Sequence, residues 1–292
     1  MSSAASSTFS APRHAMSSSL TTPGPPTTPT STDDLTARTP SAARRRRPLV
    51  RDAWYWENRK APNRWYWGAV TVLCTLASLS GYLQYRNYRD EFQALGATWD
   101  IIWPQSTLLL SMLILPLALS GFAAQIAAGE HQGRNWQRMS ADHVESAIIA
   151  GKLLHGLQVA VTTTAILILT VALTGLVAGF HLPGLAAYLP RFGAVALGMW
   201  VILTFVTWLG TTMRSFASTM TTALLGAVAG TAMLLVAQPL SILNPMTALN
   251  RATASLNPEA MTSPSSAATD GLICLAWVAV LALVLLRTVR RW

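Results

Sequence analysis

Apolar residues along this chain gather into six long runs separated by short polar stretches, all between Trp65 and Leu286. Three of the runs, Trp65–Tyr85, Ile101–Ala128 and Phe192–Met213, contain no Asp, Glu, Lys or Arg. The other three extend from near Ile148 to near Phe180, from Ala217 to about Leu240, and from Gly271 to Leu286. A helix needs roughly 20 apolar residues to cross the hydrocarbon core of a bilayer. No water reaches backbone amides there, so a spanning segment is a helix or part of a closed barrel. The runs are dominated by Leu, Ala, Val and Gly and do not alternate with a period of two, which selects helices. The pattern predicts an all-α membrane protein, a six-transmembrane-helix bundle preceded by a disordered N-terminal tail.

The polar stretches refine this picture. Residues 1–48 are rich in Ser, Thr, Pro and Ala and hold almost no large apolar side chains, so they are expected to stay disordered. Residues 49–64 read as an interfacial amphipathic segment, and 65–292 as the six-span domain. Around that segment Trp54, Tyr55, Trp56, Trp65, Tyr66 and Trp67 lie beside Arg51, Arg59, Lys60 and Arg64, the mixture found where chains enter membranes. The Arg44–Arg47 run serves either anionic lipid or orientation alone. Pro104 and Pro116 fall inside the second run and predict kinks. Gly226 and Gly230 in the fifth run permit close helix contact, either within the bundle or at a dimer seam. Pro239, Asn244 and Pro245 break the outer end of that run. The chain there forms either an ordinary loop or an irregular segment turning back into the bundle.

Charge agrees with the membrane reading. Only 11% of the 292 residues are charged, against about 25% in soluble domains. The formal charge of +9 would suit nucleic acid, but the basic residues lie outside the apolar runs, so no nucleic-acid partner is expected. With six spans, 17 Lys and Arg fall on the side of the termini and four on the other. The positive-inside rule then expects both termini and the Gly129–Glu145 stretch in the cytoplasm, with the chain multi-pass in the plasma membrane. Cys74 and Cys274 lie within apolar runs and read as small buried hydrophobes.

Energy-converting chemistry is not written in the chain. A phosphate-binding loop needs Gly-x-x-x-x-Gly-Lys-Ser/Thr, whereas the pair Gly151-Lys152 is followed by Leu153. There is no His-Glu-x-x-His and no Gly-x-Ser-x-Gly. His131, His143 and His155 recur every twelve residues, which fits no common metal motif. No catalytic residue, cofactor or metal is expected. The spans are expected to carry no carboxylate, which argues against an ion-coupled transporter and for an external energy source. That leaves the stretch from Glu130 to Glu145, where Trp136, Met139, Ser140 and His143 share one helical face. Such a face docks on a protein or lies solvated at the membrane surface.

Here the chain resembles the permeases of type-2 ATP-binding-cassette exporters, in particular the lantibiotic-immunity branch. The resemblance rests on Glu130 after the second run, Gly133 and Trp136, then Ser140 and Lys152 opening the third run. It departs where the family often has Pro-Val-Ser/Thr-Arg and this chain has Ala141-Asp142-His143-Val144. The resemblance implies a cytoplasmic coupling helix that contacts a separate ATPase subunit through Glu130, Gly133, Arg134, Trp136, Arg138, Ser140 and His143. It also implies a homodimer, or pairing with a second similar permease, in contact with membrane lipid. The substrate class would be an amphipathic peptide, a lipid or a drug. The alternative is a membrane scaffold or sensor subunit that transports nothing.

Overall fold

The computed structural model describes residues 50–60, 64–94, 96, 99–133 and 144–291. The expectation of a disordered tail over residues 1–48 falls outside them. Every regular element among the described residues is helical. Six helical stretches are long and apolar enough to cross a membrane: Arg64–Asn87, Trp99–Gln132, Glu145–Val177, Leu182–Thr212, Phe216–Val236 and Pro264–Val289. The protein is an all-α membrane protein built on six such helices.

The short helix α1 (Val50–Lys60) leads into α2 (Arg64–Asn87), and α3 (Arg89–Ala94) comes next. The second span is α4 (Trp99–Leu109), a π-helical turn over Leu110–Ile114, and α5 (Leu115–Gln132). Pro116 cannot donate to the carbonyl of Met112, and the helix widens just ahead of it, with the Leu115 amide bonding to Leu110. The Thr231 hydroxyl reaches the Met112 carbonyl at 3.5 Å. The remaining spans are α6 (Glu145–Val177), α7 (Leu189–Thr212), α8 (Phe216–Val236) and α11 (Pro264–Val289).

Contacts fix how the spans run. His131 near the end of α5 meets the Gly210 carbonyl near the end of α7 at 2.6 Å. Ile149 near the start of α6 packs with Leu285 and Val289 at the end of α11, and with Trp208. Arg191 at the start of α7 meets Asp270 near the start of α11 at 2.7 Å. Thus α5, α7 and α11 end where α6 begins, and the bundle has a Glu130 end and an Asp270 end. Tryptophan N–H groups tie its parts together: Trp99 to the His181 carbonyl, Trp103 to that of Thr253, Trp200 to that of Leu153 and Trp277 to that of Ile242, all at 2.9–3.0 Å. Trp99 and Trp103 thereby bury large apolar bodies without stranding their donors.

Between α8 and α11 the chain turns back into the bundle. Two 3₁₀ turns, Gln238–Leu243 and Pro245–Thr247, lead into α9 (Ala248–Thr253) and then α10 (Pro258–Met261). Met246, Thr247, Leu249, Asn250, Ala252 and Thr253 are all buried. The segment lies against Gly198, nine residues into α7 and so about 13 Å along its axis. A Cβ on Gly198 would stand 2.9 Å from the Ala248 carbonyl oxygen, so only glycine fits. Asn244 donates to the Gly226 carbonyl at 2.8 Å, and Gly230 faces Thr247. The small pair in the fifth run therefore packs within its own bundle. Irregular backbone at this depth is tolerated because protein surrounds it. Asn250 and Thr253 bond to Ser111 on the π turn, and Ser255 joins Thr107 and Thr253 in the same buried network.

Several boundaries differ from the sequence reading. The fifth span ends at Val236 rather than near Leu240, because Pro239 cannot continue the helix. The sixth begins at Pro264, seven residues before Gly271, with Ser263 capping it through the Ser266 amide and proline in the first turn. The helices also run past the apolar stretches, which themselves hold no carboxylate, into polar ends that do. Asp270 lies in α11 and Glu130 in α5, because helices continue through capped polar turns beyond the apolar runs.

Candidate functional site

Helix α1 does not rest loosely beside the bundle. Ala53 and Glu57 lie one turn apart on its buried face, while Tyr55, Trp56 and Arg59 point outward. That face crosses α6 at Gly151, where the two backbones nearly touch. Trp54 Nε1 donates to Gln158 Oε1 at 2.9 Å, about two turns further along α6. The neighbour of Gly151 is Lys152, whose ammonium lies 3.1 Å from both Glu57 oxygens and 2.7 Å from Glu130 Oε1. Lys60, one turn after Glu57, reaches the same two carboxylates at 2.9 Å. Two acids and two bases from three elements therefore meet in one cluster.

Its burial gives the cluster its energetic weight. The side chains of Glu57, Glu130 and Lys152 are 3%, 2% and 6% exposed, whereas that of Lys60 is 42% exposed. Buried charges are costly unless paired, and removing one member strands the others at about 3–5 kcal/mol. Burial works to lower the Lys60 ammonium, but the carboxylates of Glu57 and Glu130 outweigh it and hold Lys60 above its ordinary value. Its contribution is thus fully present below that ordinary value and is lost only as pH rises through the higher, folded one. α6 is 33 residues, about 50 Å, long and exceeds the roughly 30 Å hydrocarbon core. Lys152 lies seven residues, about 10 Å, from its start, in the part able to stand outside the core.

A narrow pocket opens beside the cluster, lined by Glu57, Phe122, Ile126, Lys152, His155 and Thr207 among others. His155 is 8% exposed, and its ring lies 6.0 Å from that of Phe122. Neither of its ring nitrogens has a hydrogen-bond partner among the described residues.

Of the residues expected to contact an ATPase, the structure describes Glu130 and Gly133. Arg134, Trp136, Arg138, Ser140 and His143 lie outside the described residues. Glu130 turns inward onto the lysines rather than outward. Gly133 closes α5 at φ −80°, a conformation any residue adopts, so the backbone does not itself demand glycine there. Lys152, singled out at the opening of the third run, is the hub of the cluster. Glu57 and Lys60 are members that the sequence pattern does not single out. A signal for them exists: an i, i+3 acid–base pair on a helix whose Glu falls on the same face as Ala53.

A second charged group closes the opposite end. Arg191 is fully buried and donates to Asp270 Oδ2 at 2.7 Å and to the carbonyls of Ala252 and Ala260. Arg251 donates to Asp270 Oδ1 at 3.2 Å. In the sequence both arginines bear only on the orientation of the chain. No protein-family model matches the chain, and no curated protein matches it.

Proposed function

We propose that the chain is the permease subunit of an ATP-binding-cassette exporter, driven by ATP that a separate subunit hydrolyses. The observation that carries this reading is that the Lys152 ammonium donates to both Glu57 and Glu130. Residues 134–143 join Glu130 on α5 to Lys152 on α6, and the cluster locks both flanks of that segment to α1. A push on the segment would be passed to α1, α5 and α6 together, as a coupling element requires. The resemblance around Glu130 and Trp136 supplies the identity of the pushing partner. In this reading the Glu130 end faces the cytoplasm of a plasma membrane, Trp136 meets the ATPase, and Glu130 acts as a positioning residue rather than a contact. A second copy or a similar permease completes the pathway. The cargo would be an amphipathic peptide, a lipid or a drug.

Purification in mild detergent, with identification of bound chains, tests the proposal. A co-purifying ATPase of the cassette type, whose turnover rises when the permease is present, is the expected result. Isolation of the chain from its native membrane with no ATPase bound would leave the scaffold or sensor reading in its place.

A further inference from the structure

At the Asp270 end, an open cleft lies between α8, the re-entrant segment and α11. Its apolar wall is formed by Leu234, Pro239, Ile242 and Leu256, and its polar wall includes Arg251, Asp270, Asn250, Asn257, Gln238 and Ser266. With Arg191, which is fully buried behind that wall, the charges do not balance. Asp270 gives one oxygen to Arg191 and the other to Arg251, so one carboxylate serves two guanidinium groups. Among the described residues no other carboxylate lines the cleft, and Glu259, nearby in sequence, is exposed and lies outside it. Arg191 Nε and Arg251 Nη1 are buried and have no acceptor among the described residues. An uncompensated buried cation is unfavourable, and a second anion would relieve it.

We propose that this cleft binds an organophosphate anion carrying a short apolar chain, with Arg251 as the cation that holds it. A phosphate presents three oxygens, and arginine matches it with a fork of donors. Asn250, Asn257, Gln238 and Ser266 supply further polar groups on the same wall. A phosphate, with one more oxygen than a carboxylate, reaches more of them at once. The apolar wall faces the chain of the ligand. The site is independent of the exporter reading, because it uses none of the residues at the Glu130 end. The same chemistry is offered by a free phosphomonoester and by the headgroup of an anionic phospholipid.

The test uses the full chain in phosphatidylcholine nanodiscs, titrated with hexyl phosphate and, separately, with hexanol and inorganic phosphate. Two variants accompany the native protein: Arg251→Gln, which leaves Arg191 paired with Asp270, and Leu256→Asp, which places a repelling charge on a side chain 41% exposed. Binding of hexyl phosphate that is at least tenfold weaker in both variants, with hexanol and inorganic phosphate much weaker than hexyl phosphate, supports a soluble ligand. A parallel arm extracts the protein from membranes containing phosphatidic acid and weighs the retained lipid. Retention by the native chain and its loss in Arg251→Gln supports the lipid source. Equal behaviour of native and Arg251→Gln protein in both arms overturns the site. Inorganic phosphate binding as tightly as hexyl phosphate overturns the amphiphilic ligand.

Discussion

Gly151 of α6 and Ala53 of α1 meet so closely that a Cβ built on Gly151 would stand 2.7 Å from the Ala53 Cβ and 2.8 Å from the Trp54 amide nitrogen. Part of that obstruction is backbone, which cannot swing aside as a flexible side chain can. Gly151→Ala is therefore expected to displace α1 and cost about 1–3 kcal/mol, as overpacking does. Gly156, further along the same helix, is the control: a Cβ there meets Trp200 at an ordinary 3.5 Å. Trypsin cleavage at Arg59 and Lys60 should accelerate in Gly151→Ala and not in Gly156→Ala. Equal cleavage of the two would show that α1 is not held at this crossing.

Lys152→Met should be the most damaging single change in the cluster, because it leaves Glu57 and Glu130 buried together with only the half-exposed Lys60 between them. A loss of about 3–5 kcal/mol is expected. Adding Glu130→Gln removes one stranded charge and should restore part of the loss, a non-additivity measurable as a double-mutant cycle in thermal unfolding. Strict additivity would mean that the two side chains do not act as a unit.

The orientation rests on 17 basic residues against four. Cys74 and Cys274 are buried, so single cysteines at the exposed positions Gln132 and Ser265 give a clean readout. An impermeant thiol reagent applied to intact cells should label position 265 and spare 132. The reverse pattern would invert the protein.

If the proposed ATPase partner docks on Trp136, Trp136→Ala should leave membrane insertion intact while weakening capture of that ATPase. Truncating a tryptophan hot spot typically costs about 2 kcal/mol or more, roughly thirty-fold in affinity. If the variant holds and stimulates its ATPase as the native chain does, Trp136 belongs to the membrane interface and not to a docking surface.

Deletion of residues 2–40 should leave insertion and thermal stability unchanged, since this stretch holds almost no apolar surface to bury. A chain that no longer inserts after this deletion would place a folded element there.

The class of fold and the number of spans were legible in the chain itself. Length and hydropathy suffice for that, because a bilayer admits only segments that satisfy their own backbone. The sequence also marked Glu130 and Lys152, through their places beside the second and third runs. The partners of those two residues emerge only from the packing of the helices. Glu57 lies 73 positions from Glu130 and 95 from Lys152, and no local period relates them. The meeting of the three depends on α1 crossing α6 at Gly151, a packing event. The same holds at the far end, where Arg191, Arg251 and Asp270 come together because a proline-broken segment folds back into the bundle. Periodicity reports which face of one helix is apolar. It does not report which charged ends of different helices must share a dry site, and that pairing is fixed only when the helices pack and desolvate them together.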